Sequence, residues 1–79
     1  MIYVIDMNHQ YLPIEVKWTN SPSEKDCRHL EKFMAEYPCF DLAYIICRVP
    51  RPRKITDHIL ALPWQDLSSL RERFNDSIP

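Results

Sequence analysis

Apolar and polar positions along this chain fall into short blocks, and the period changes from block to block. Ile2-Tyr3-Val4-Ile5 is β-branched and aromatic, a composition that suits a pleated strand. Asp6 to Gln10 is polar and predicts a hairpin connection. Tyr11 to Trp18 then returns as a second, antiparallel strand. Within it Glu15 and Lys17 share one face while Ile14 and Val16 share the other, because side chains in a strand alternate. Asn20-Ser21-Pro22-Ser23 predicts a turn that prepares a helix. Ser23 can act as N-cap, and Asp26 three residues on imitates a capping box.

From residue 24 the apolar positions recur every three or four residues. Cys27, Leu30, Phe33, Met34 and Tyr37 make one stripe and predict a helix over 24–37. Glu24 with Arg28, and Lys32 with Glu36, add oppositely charged pairs four apart. Pro38 ends the helix, since the residue before a proline avoids the α region. Leu42 to Cys47 is nearly all apolar without alternation, as expected of a strand buried on both faces. Strand, helix and buried strand in succession describe a right-handed βαβ crossover, with 11–18 and 42–49 paired in parallel.

The remainder is punctuated by proline. Arg48 to Lys54 reads as an extended basic loop stiffened by Pro50 and Pro52. His58 to Leu62 suits a short edge strand stopped by Pro63. Trp64, Leu67, Leu70 and Phe74 suit a closing amphipathic helix with Pro63 near its first turn. The tail from residue 74 is expected to fray. The expected fold is one small α/β domain over 1–79, a mixed sheet in the order β-β-α-β-β-α.

Composition narrows the function classes. A chain of 79 residues buries only roughly 60% of its unfolded surface, so its stability margin is thin. With 46% apolar and 27% charged residues and a net charge of −1, it has no global attraction to nucleic acid or to an acidic membrane. The absence of glycine excludes a P-loop, a dinucleotide fingerprint and a nucleophile elbow, which need glycine for positive φ or close backbone approach. The most apolar stretch, Cys39 to Cys47, contains Asp41 and is far too short to span a bilayer. No signal peptide is recognisable around Asp6, so the cytoplasm is the expected location and no membrane association is expected.

Three cysteines, Cys27, Cys39 and Cys47, lack close pairing and are expected to be reduced and structural. Cys27-x-His29 is half a zinc site at best, without the usual ligand spacing. His9, His29 and His58 have no spaced partner that suggests catalysis. Trp18 and Trp64 are expected as core or rim aromatics.

One block carries candidate chemistry, Pro13-Ile14-Glu15-Val16-Lys17-Trp18. A hairpin, then Glu-x-Lys, then a crossover helix resembles the restriction-endonuclease-like fold with its PD-(D/E)xK motif, here as a half-fold. The likeness extends to Glu24-Lys25-Asp26 with His29-Leu30 and Phe33, to Cys47-Arg48 with Pro50-Arg51-Pro52, and to Ala61-Leu62-Pro63-Trp64. Together these blocks resemble the C-terminal domain of unknown function attached to prokaryotic AAA+-type ATPases, over about residues 2–67.

In nucleases of that fold, an Asp on the first hairpin strand and the Glu of Glu-x-Lys hold Mg²⁺, often with the carbonyl of the residue between. The resemblance puts Glu15, the Val16 carbonyl and Lys17 in those places. Mg²⁺ wants hard oxygen ligands and activates one of its waters, while the lysine offsets developing charge. Aligned to that pattern, Ile2 stands where the acid belongs, and the sequence is expected to start just inside the motif. Asp6 is the only substitute metal ligand, on the same face but roughly 13 Å further along a strand. Glu15 and Lys17 are therefore expected to be a vestigial catalytic pair, a same-face ion pair on a half-exposed strand contributing under about 1 kcal/mol.

The expected role is that of a non-catalytic, nuclease-like domain acting in protein interaction and related to the tail domain of ATPases. An exposed sheet edge would pair with a second copy or with a partner chain. No cofactor is expected in that case. The alternative is a metal-dependent nuclease or nucleic-acid-binding domain using Mg²⁺ at Glu15 with Asp6, Lys17, and a basic loop. That loop carries Arg48, Arg51, Arg53 and Lys54 and could follow a phosphate backbone. Its plainer reading is a solvated segment whose charges protect a sheet edge from aggregation.

Overall fold

The computed structural model describes residues 2–68. It contains β1 (Ile2–Met7), β2 (Gln10–Val16), α1 (Arg28–Glu36), β3 (Ala43–Cys47), β4 (Arg53–Lys54) and β5 (Ile59–Pro63). The five strands form one mixed sheet in the order β1-β2-β3-β5-β4. β1 runs antiparallel to β2, and β4 antiparallel to β5. β2, β3 and β5 are mutually parallel. The β2-α1-β3 crossover expected from the hydrophobic pattern is present.

The hairpin is tighter than the polar run 6–10 suggests. Met7 pairs with Gln10, so only Asn8 and His9 form the turn, with φ of 57° and 74°. Two left-handed residues in succession match the twist of the flanking strands, and here the turn is built without glycine. The segment 24–37 is not one α-helix. A 3-10 turn over Glu24–Cys27 leads into α1. The Asp26 N–H donates to the Ser23 carbonyl at 2.9 Å, an i to i+3 bond, and the Ser23 N–H donates to Asp26 Oδ2 at 3.0 Å. These two bonds tighten the first turn. At the other end the Tyr37 N–H still bonds to the Phe33 carbonyl, but Tyr37 itself is extended, as a residue before proline should be.

β3 lies at the centre of the sheet and is buried throughout. On one face α1 covers it. Cys27 and Leu30 pack there against Ala43, Ile45, Cys47, Val49, Ile59 and Ala61. On the opposite face Leu12, Ile14, Tyr44, Ile46 and Leu62 form a second cluster. Phe33 and Tyr37, expected in the helix stripe, stack on each other at 4.6 Å and meet Tyr11 edge-on at 6.4 Å.

One expectation is corrected at the C-terminal side. The strand expected over 58–62 is not an edge, because β4 pairs beyond it through Arg53–Ala61 and Lys54–Leu60. Two charged residues carry no apolar signal for a strand, and β5 supplies the template for them. The closing helix expected around Trp64, Leu67, Leu70 and Phe74 falls largely outside the described residues, of which Leu67 and Ser68 are helical. Trp64–Asp66 form a 3-10 turn.

Candidate functional site

β2 brings Glu15 between Ile2 of β1 and Ile45 of β3. Ile45 packs against α1, so Glu15 lies on the face that α1 covers. Glu15 is only 4% exposed, whereas its neighbour Val16 is 42% exposed. The strand is therefore not half-exposed with its charges outward, as the residue types suggested. The buried position holds the carboxylate, and the apolar Val16 faces solvent. From α1, His29 Nδ1 approaches Glu15 Oε1 at 3.9 Å.

Lys17 continues the line of β2, its N–H donating to the Ile46 carbonyl at 2.9 Å. Its side chain follows two residues after Glu15 on the same line of the strand, and its ion pair is with Asp26. Lys17 Nζ lies 2.9 Å from Asp26 Oδ1, while Asp26 Oδ2 accepts from the backbone of Ser23. The hydrogen bond to Asp26 and its charge raise the Lys17 pKa above the ordinary 10.5. The same bond, helped by the Ser23 N–H, holds the Asp26 carboxyl below its ordinary value. Glu15 adds a smaller contribution to Lys17 through space.

The place opposite Glu15 on β1 is taken by Ile2, which packs against the core under α1. Asp6 pairs with Tyr11, four residues along β2 from Glu15, and is exposed. The hairpin register thus does not bring the two carboxylates together. Among the described residues no group of three or more His, Cys, Asp or Glu side chains is arranged to hold a metal ion. With an isoleucine opposite Glu15, the described residues of β1 place no second carboxylate beside it. What the arrangement does supply is a clamp, in which Lys17 ties the end of β2 to the start of the crossover helix.

The basic segment is divided between two places. Arg48 and Arg51 are exposed in the connection after β3, with the Arg48 guanidinium 5.3 Å from the Trp18 ring centroid. Arg53 and Lys54 are exposed on β4, and Lys54 Nζ pairs with Asp57 Oδ1 at 3.0 Å. At the opposite end of the sheet, an open cleft of about 490 Å³ is lined in part by Cys39, Asp41 and His58. His58 Nδ1 lies 2.9 Å from Asp41 Oδ1 on its exposed rim. Burial pushes the Cys39 thiol up, which disfavours its thiolate.

Asp26 and His29 are the site neighbours that sequence reasoning did not pair with Glu15 and Lys17. Asp26 was legible as a helix cap, but its second oxygen finds a partner nine residues back only through the crossover. No helix among the described residues is long and apolar enough to cross a membrane. No curated protein and no solved structure shows significant similarity to the chain. Residues 3–67 match the model of a domain of unknown function, DUF4143, and the chain belongs to that family.

Proposed function

We propose that this domain is a non-catalytic interaction module of restriction-endonuclease-like descent, related to the tail domains of ATPases, that pairs with a second copy through β1. The observation that carries this reading is the exposure of the terminal strand. β1 has a neighbour on one side only among the described residues, and its Tyr3, Val4 and Ile5 are 54%, 43% and 40% exposed. Such an edge is usually blunted by lysine, proline or a bulge, and Ile2–Met7 contains neither residue.

A second copy is the favoured occupant. β1 is rich in β-branched and aromatic residues, which pair well across an antiparallel two-fold. The net charge of −1 sets little repulsion between copies. A domain of this size also gains from self-association, since its own core is small. The Glu15–Lys17 geometry supports the non-catalytic half of the reading, because Lys17 is engaged by Asp26 and Glu15 lies under α1.

The test is sedimentation velocity from low micromolar to near-millimolar protein, on the parent and on Ile5→Lys. The expected result is a dimer that forms with concentration in the parent and is lost in the variant. A parent that stays monomeric throughout contradicts the dimer. Divalent-cation-dependent cleavage of DNA or RNA that disappears in Glu15→Ala contradicts the non-catalytic reading.

A further inference from the structure

The parallel strands β2, β3 and β5 finish at one end of the sheet, and exposed side chains follow each of them. Trp18 comes two residues after β2, Arg48 directly after β3, and Trp64 directly after β5. Trp18 and Trp64 are 64% and 49% exposed. Their ring centroids are 6.2 Å apart with planes tilted by 49°, and Arg48 lies over Trp18. These are the only two tryptophans of the chain, and the fold gathers both at the surface.

The connection that begins at Arg48 crosses this same end. β4 enters antiparallel to β5 with Arg53 opposite Ala61, so Arg51 precedes it on the side where β5 ends. In the sequence the basic run has no aromatic residue within it. In the fold, Trp18 stands beside its first arginine and Trp64 beside Trp18. Of the acidic groups close by in sequence or contact, Asp26 is held by Lys17, and Asp66 follows Trp64 by two residues.

We infer that this end of the sheet binds single-stranded nucleic acid, with a base stacked on the Trp18–Trp64 platform and backbone phosphates meeting Arg48 and Arg51. Every unpaired base has a flat π-face that an exposed indole can take, whereas a duplex hides those faces. Guanidinium groups suit phosphate oxygens in geometry and charge. The ends of parallel strands are also where open α/β sheets receive ligands. Because the chain as a whole is near neutral, the attraction is local and falls steeply with salt. This site uses no residue of β1 and stands or falls independently of the dimer.

Selectively excited tryptophan fluorescence reports on this platform alone, since both tryptophans belong to it. The full chain is titrated at low salt with an oligo-dT strand of about 12 nucleotides. A duplex of the same length and thymidine monophosphate are titrated in parallel, and binding of a labelled strand is followed by anisotropy. The strand is expected to quench the fluorescence, the duplex to leave it unchanged, and the mononucleotide to bind far more weakly. Trp18→Ala is expected to weaken strand binding about tenfold. Arg51→Ala is expected to reduce the slope of log K against log salt by about 0.7. Both side chains are exposed, so both variants should keep the parent's melting temperature. Absence of quenching, equal affinity for duplex, or parent-like binding by Trp18→Ala overturns the inference. Equal affinity for the mononucleotide overturns it in favour of a nucleotide site.

Discussion

Lys17 Nζ at the end of β2 and Asp26 Oδ1 at the start of the crossover lie 2.9 Å apart, so one ion pair fastens strand to helix. The other oxygen of Asp26 caps the helix through the Ser23 N–H. The Lys17 ammonium is thereby engaged in holding two elements of the fold together. Asp26→Ala removes the cap and the ion pair together. Loss of such a cap lowers the melting temperature of a domain this small by about 5 °C. Asp26→Asn, which can still accept from Ser23, should lose less. Thermal melts followed by circular dichroism would rank the three proteins.

The same pair sets a direction for pH. The Asp26 carboxyl titrates below its ordinary value when folded, so its contribution is fully present above the unfolded value. It is lost as pH falls through the depressed folded value. Lys17, raised for the same reason, keeps its contribution below pH 10.5 and loses it as pH climbs through the folded value. Melting temperatures measured from pH 7 down to pH 2 should fall less in Asp26→Asn than in the parent. An identical acid limb in both proteins would contradict this account of the pair.

Leu30 is the fully buried anchor of α1 against β3 and β5. Leu30→Ala should cost about 2–5 kcal/mol, a large part of the stability of such a small domain. Urea unfolding would show it as a lower midpoint with an unchanged slope.

The turn at Asn8 and His9 holds two residues at positive φ without glycine. Asparagine tolerates that region well and histidine less so. His9→Gly relieves the strain but loosens the unfolded chain, which leaves a net gain of about 0.5 kcal/mol. A raised urea midpoint checks it. A destabilised variant would show that the His9 side chain contributes a contact of its own.

Thiol chemistry separates the cysteines. Cys27 and Cys47 are fully buried, and burial with nearby acidic groups pushes Cys27 up to about 11. Cys39 is partly exposed and its thiol is raised by burial alone. In the native protein at pH 8, a disulfide reagent should label Cys39 first. Cys27 and Cys47 should follow only as fast as the domain opens.

Much of this fold could be read from residue types because local preference and burial agree there. Ile2 to Ile5, the helix stripe at Cys27 and Leu30, and the apolar run 43–47 each carry the period of the element they form. The parallel pairing of β2 with β3 followed from the crossover between them. What escaped was decided at long range. Val16 is exposed and Glu15 buried because α1 covers the Glu15 face, and no strand pattern tells which face a helix will choose. Arg53 and Lys54 become a strand only because β5 offers them partners. The partner of Lys17, and the meeting of Trp18, Arg48 and Trp64, depend on the three-dimensional course of the sheet.

Hydrogen exchange at the β1 amides, measured at low and at high protein concentration, reads out pairing through this edge residue by residue. Amides of Ile2 to Met7 whose N–H groups point away from β2 should exchange quickly in dilute protein and become protected as concentration rises. Amides of β3, buried in either state, should not change. Outward β1 amides that exchange equally fast at both concentrations would contradict pairing through this edge.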